Sequence, residues 1–79
     1  MMNVEQCRGA RALLGWSAQD LADKAGIGVA TVRRYEGGSL IASGSLEVMA
    51  AALTAAGVVF IAGGDKSLAG GAGVRLASA

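Results

Sequence analysis

Arg33 and Arg34 stand side by side in a stretch of helical periodicity, and adjacent guanidinium groups do one kind of chemistry well. Each is a planar fork of donors that grips a phosphate, or the O6 and N7 edge of guanine, through paired hydrogen bonds. The plain alternative for such a pair is a solvated helix face. Arg11 is the second informative charge, because the period places Ala10 or Arg11 on the apolar stripe of an earlier helix with Val4, Cys7 and Leu14. A charge facing a core needs a partner, and Glu36 is the candidate. Other chemistry has little to work with. The chain has no His and 1 Cys, so neither a disulfide framework nor a Cys/His metal site can form within it. Cys7, on the apolar side of its helix, reads as a buried, inert thiol rather than a reactive one. No paired carboxylates stand in a recognisable frame. The Gly63-Gly64 and Gly70-Gly71 clusters lack the strand and helix that a nucleotide loop requires. The expectation is therefore a protein that is not an enzyme and uses no cofactor or metal.

Two short helices must position the arginine pair. Residues 17–36 begin with Ser17 as a helix cap and Asp20 three residues later as the matching acid. Leu21, Ala22 and Ala25 continue the inner face. Gly26 then turns the chain, and Ala22 is small enough to let a second helix approach. In that second helix Val29, Val32 and Tyr35 share one stripe, with Val32 packing back toward Ala22. Gly28, Ala30, Thr31, Arg33 and Arg34 are left to the flanks and the outside. A tight glycine turn between two helices, the second exposing arginines, is what a major-groove reader needs.

Four features carry a resemblance: Arg11-Ala-Leu-Leu-Gly-Trp-Ser17 ahead of the motif, Leu21-Ala22 with Gly26, Thr31-Val32, and Glu36 followed by Gly37-Gly38. With them, residues 3–56 resemble the phage-repressor-like (XRE/Cro) helix-turn-helix family of small bacterial regulators. The tail, Gly57-Val-Val-Phe-Ile61 with Gly73-Val-Arg-Leu76, is similar to that of a subgroup of short members ending in two strands. The resemblance implies double-stranded DNA as partner and a structural ion pair between Arg11 and Glu36. It also implies base-reading positions at Gly28, Val29, Ala30, Arg33 and Arg34. Ser17, Gln19 and Thr31 are backbone-contact candidates, and Gly38 and Ser39 match positions whose amides hold a phosphate in the family. Ala18 replaces a frequent Gln, and the proline common in the family's loop is absent. Gly28, Val29 and Ala30 can meet thymine methyl groups but offer no side-chain hydrogen bonds.

Around the motif, a first helix is expected from Val4 to Leu14, capped by Asn3 and ended by Gly15. Trp16 is expected to close the core against the second and fourth helices; stacking on a nucleobase is the alternative. Residues 37–45 read as a loop. A fourth helix should start near Ser43 to Ser45 and run to Ala56, with Glu47 in its first turn, a stripe of Leu46, Met49, Ala50 and Leu53, and Gly57 as its stop. Val58, Val59, Phe60 and Ile61 are apolar throughout, as in a strand covered on both faces. Val74 to Leu76 is the other strand candidate. The Gly-rich segment between them is too long for a tight hairpin, so pairing with a second copy is expected. Val58, Val59, Phe60, Ile61, Val74 and Leu76 are the dimerisation candidates.

The fold class is thus mainly α: a four-helix repressor-like domain over residues 1–57 and a β tail over 58–79, pairing between two chains. The formal charge is only +1, so local placement of charge matters more than its sum. The stretch 48–64 lacks charge but falls short of a membrane span and contains Thr54, Gly57, Gly63 and Gly64. No signal peptide is apparent, and a cytoplasmic location is expected. The function expected is sequence-dependent DNA binding by a small dimeric regulator, a repressor. The alternative is an interaction module, such as the antitoxin of a toxin pair or an adaptor, whose apolar tail docks a protein by strand addition.

Overall fold

The computed structural model describes residues 2–61 and 73–77. Four helices, α1 (Val4–Leu14), α2 (Ala18–Ala25), α3 (Val29–Glu36) and α4 (Ser43–Ala55), precede two strands, β1 (Val58–Ile61) and β2 (Gly73–Leu76). The mainly α architecture with a C-terminal β tail is therefore as the sequence predicts.

Capping chemistry sets the first two helices. Asn3 accepts the Gln6 amide at 2.7 Å while Gln6 Oε1 accepts the Asn3 amide at 2.9 Å, two otherwise orphan donors satisfied together. Ser17 and Asp20 repeat the arrangement on α2 at 3.0 and 2.9 Å. Gly26 ends α2 at φ +72°, a backbone conformation costly for any residue with a β-carbon. Its amide bonds back to Ala22 and Asp23, and the chain leaves directly into α3.

Leu21, Ala22, Val32, Met49 and Leu53 are fully buried, joined by Cys7 and Ala10 from α1. Ala22 and Val32 thus meet in one core, as their spacing predicts. Leu46 and Ala50 pack partly against it. Trp16 is half-buried and packs against this core, and with Lys24 of α2, Ala52 and Ala55 of α4 and the following Ala56 it lines an open surface pocket. Lys24 Nζ lies 5.9 Å from the Trp16 ring centroid, within cation–π range. Glu47 corrects an expectation. It is the fifth residue of α4, beyond the first turn, because the helix begins at Ser43 without a side-chain cap. Gly57 does turn the chain, at φ +103°.

The tail is an antiparallel pair within the chain, with Val58 opposite Leu76 and Phe60 opposite Val74. Side chains alternate across a strand, so Val58, Phe60, Val74 and Leu76 share the face that packs on the helical core. Val59 and Ile61 lie on the other face with Arg75. The strand is consequently not covered evenly on both sides: Val58 is buried and the other three residues of β1 are half-buried. Two details without a sequence forecast lock this tail to α1. Gln6 Nε2 donates to the carbonyls of Ile61 and Gly73, each at 3.0 Å, tying together the two strands. Gly9 allows close approach, since a β-carbon there would meet Val74 Cγ2 at 3.1 Å. The sequence expectation about the loop joining the strands falls on residues 62–72, outside the described residues.

Candidate nucleic-acid interface

α3 presents two unlike faces. Val32 is fully buried and Glu36 is 8% exposed, while Val29 and Tyr35 are half-buried beside them. Ala30, Arg33 and Arg34 are exposed. This follows from the period of the helix: Val29, Val32 and Glu36 fall one turn apart, which carries Ala30, Arg33 and Arg34 to the outside. Thr31 is half-buried, and its Oγ1 accepts from Arg34 Nη2 at 3.4 Å. Gly28 is the exposed N-cap of α3 and supplies no side-chain cap.

The remaining predicted contacts are at the surface. Ser17 is exposed, its hydroxyl already capping α2. Gln19 is exposed and donates to Asp23 Oδ1 at 2.8 Å. Gly38 and Ser39 are exposed too, but their amides are occupied. The Gly38 N–H donates to the Tyr35 carbonyl and the Ser39 N–H to the Arg34 carbonyl, both at 3.0 Å. These amides close the C-terminus of α3, which leaves the Ser39 hydroxyl as the group at this point able to meet a phosphate.

Behind the exposed face lies a polar cluster. Arg11 grips Glu36 bidentately, Nε to Oε2 at 2.9 Å and Nη2 to Oε1 at 2.7 Å, and its Nη1 donates to the Trp16 carbonyl at 3.0 Å. Paired, charge-assisted bonds of this geometry fix an orientation as well as a distance. The Cys7 thiol donates to Glu36 Oε2 at 3.1 Å. Burial pushes the thiol pKa up, helped by the neighbouring Glu36 charge, to about 12. Such a thiol is a hydrogen-bond donor and a poor nucleophile. Burial would also raise the Glu36 pKa, but the hydrogen bonds from Arg11 and Cys7 and the charges of Arg11 and Arg8 outweigh it and hold the carboxyl below its usual range. The Arg11 pKa is raised in turn, chiefly by its hydrogen bonds to Glu36.

Sequence reasoning found Arg11 and Glu36 and missed what surrounds them. Arg8 Nη2 donates to the main-chain carbonyl of Glu36 at 2.8 Å, and Tyr35 Oη donates to the Met2 carbonyl at 3.1 Å. A signal for Arg8 existed, because Cys7, Arg8 and Arg11 fall on one side of a helix at spacings of three and four. The carbonyl partners themselves carry no sequence mark.

No curated protein sequence matches the chain significantly. The helix-turn-helix family profile matches residues 8–54, a span that begins at Arg8 and takes in α2, its glycine turn and α3. It covers more than half of the 79 residues. With a buried scaffold joining α2 to α3 and an arginine face left outside, the chain belongs to the helix-turn-helix family of XRE/Cro-type DNA-binding regulators.

Proposed function

We propose that this chain is a dimeric transcriptional repressor that inserts α3 into the DNA major groove. The observation that carries the reading is the sidedness of α3, with Arg33 and Arg34 exposed opposite the buried Val32 and Glu36. Arg33 and Arg34 supply the phosphate and guanine contacts. Val29 and Ala30 meet thymine methyls, Gly28 lets the backbone approach, and Ser17, Gln19, Thr31 and Ser39 reach the sugar-phosphate strands. With so few base-edge hydrogen bonds, discrimination leans on DNA shape. A second copy pairs through the tail, by the outward Val59 and Ile61, because Val58, Phe60, Val74 and Leu76 already face the helical core. Two-fold pairing would set two α3 helices on one face of the duplex.

Binding of the upstream genomic duplex and of a random duplex across a salt series tests this, with Arg33→Ala/Arg34→Ala as comparison. The double variant is expected to bind more weakly, with a salt slope shallower by about 0.9 for each phosphate it no longer neutralises. No binding by the wild-type chain at low salt, or an unchanged slope in the variant, would sink the proposal. Sedimentation of Val59→Thr/Ile61→Thr tests the dimer while leaving the inward face intact. A persisting dimer would refute the tail interface.

One observation favours the interaction-module reading. Leu40 is 99% exposed and Leu13 and Val48 are 45% and 39% exposed, apolar surface that DNA contact does not employ. An antitoxin or adaptor would use it. Failure to bind either duplex, together with a persisting apolar contact to a protein partner, is the outcome that would favour that role.

A further inference from the structure

The four terminal carbonyls of α3 are all satisfied, and the last of them by an unusual donor. Within an α-helix the final four carbonyls have no partner in the helix itself. Arg33 O accepts from the Gly37 N–H at 2.9 Å, Arg34 O from Ser39 and Tyr35 O from Gly38 at 3.0 Å each. These three are local. The fourth, Glu36 O, accepts at 2.8 Å from Arg8 Nη2, across 28 residues of sequence.

The bonds that close the C-termini of α1 and α2 come from main-chain amides, those of Gly15 and Trp16 and of Gly26 and Ile27. Among these three helices α3 is the one whose end is fastened from another helix by its backbone. The side chain of the same residue is held by Arg11 and Cys7, so three residues of α1 fix one residue of α3 through both its main chain and its carboxylate. A cation at this point also favours the negative end of the helix dipole.

We infer that Arg8 is a positioning residue for DNA recognition: it sets the pitch of α3 through the Glu36 carbonyl and makes no DNA contact of its own. The inference rests on the DNA-binding reading above. Arg8 is exposed, and an exposed arginine in a DNA-binding chain would ordinarily be counted as a phosphate contact. Its engagement with the α3 backbone argues the other role. The two roles differ in one measurable respect. A phosphate contact releases a counterion when it forms and so contributes to the salt slope, whereas a positioning bond inside the protein does not.

The test uses the full chain with a fluorescent upstream genomic duplex, titrated across a salt series for wild type, Arg8→Ala and Arg8→Lys. Temperature is kept where circular dichroism shows all three fully folded. Arg8→Ala is expected to weaken binding about five- to tenfold at every salt concentration, the scale of one charge-assisted hydrogen bond, with an unchanged slope. Arg8→Lys, which still offers a charged donor to a carbonyl, should stay within about twofold of wild type. A slope lower by about 0.9 in the alanine variant would make Arg8 a phosphate contact and overturn the inference. Unchanged affinity with a lowered melting temperature would overturn it as well, leaving Arg8 a purely structural group. No binding by the wild-type chain is a separate outcome, which removes the DNA reading and this inference together.

Discussion

α2 and α3 are both 8 residues long and lie against each other, yet they are held in opposite ways. α2 is self-contained: a reciprocal Ser17–Asp20 box closes its start and Gly26 closes its end. α3 has a glycine without a side-chain cap at its start, and its last residue, Glu36, is held by Cys7, Arg8 and Arg11 of α1 in addition to the local amides that close the turn. A short helix is marginal on its own propensity. The difference therefore teaches where orientation is specified. The supporting helix carries its instructions locally, while the helix that exposes Arg33 and Arg34 takes part of its position from a distant element and keeps its outer face free.

Removing the remote hold should have the largest effect. Glu36→Ala leaves the partly buried Arg11 guanidinium without its carboxylate, and breaking such a pair costs about 3–5 kcal/mol. For a domain this small, urea denaturation should show most of the stability lost. A cost under about 1 kcal/mol would place the pair in the class of surface ion pairs and erase the contrast between the helices.

The same cluster should give the protein a distinctive alkaline profile. The Cys7 thiol keeps its proton up to about pH 12 in the folded chain but loses it near 9.0 when unfolded. Between those values the folded state binds the extra proton, so stability falls as pH rises, by about 1.4 kcal/mol per unit. It is complete below pH 9 and declines toward 12. Denaturation midpoints from pH 8 to 11 should fall more steeply for wild type than for Cys7→Ser, which keeps a donor without the titration; parallel curves would refute the account. On the acid side the sign reverses. Glu36 is held below its usual range, so its contribution is present above about pH 4.5 and fades as pH falls through the lowered value.

This division between local and remote control also governs what could be read from the sequence. Ser17, Asp20 and Gly26 announce α2 because caps act over three or four residues, and the amphipathic period of α3 sets which side chains are outside. Arg11 and Glu36 were legible because a charge on an apolar stripe demands a partner. Gln6 was not, and Arg8 was marked only by its helical spacing from Cys7 and Arg11, which names no partner. Both act on backbone carbonyls, which every residue possesses, at separations of 28, 55 and 67 residues. The amides of Gly38 and Ser39 were misassigned for a related reason: the resemblance marks them as donors, but only geometry shows that α3 has already taken them. For the tail, apolar composition located the strand but could not divide Val58 and Phe60 from Val59 and Ile61 until pairing with β2 fixed the faces.

A smaller effect is expected from breaking the local hold of α2. Ser17→Ala removes the cap acceptor for the Asp20 amide and should cost about 1 kcal/mol, the usual loss for an N-cap. It should do so without altering the slope of DNA binding with salt. Equal damage from Ser17→Ala and Glu36→Ala, measured by the same denaturation, would mean that the two helices are not held differently after all.

The smallest effect would come from giving α3 the start that α2 already has. Gly28 sits at φ −74° and ψ 145°, a region any L-residue adopts, and a β-carbon there meets nothing within 4 Å. Gly28→Ser can therefore place a hydroxyl over the amides of the first turn of α3, where the Thr31 N–H now has, among the described residues, only the Gly28 carbonyl at 3.1 Å, while reducing the freedom of the unfolded chain. The expected gain is about 0.5 kcal/mol, visible as a raised urea midpoint. Stability and affinity should then part company if, as proposed, the bare Gly28 at the start of α3 is where the backbone closes on DNA. A variant both more stable and tighter binding would show that the bare start of α3 is not there to admit a partner.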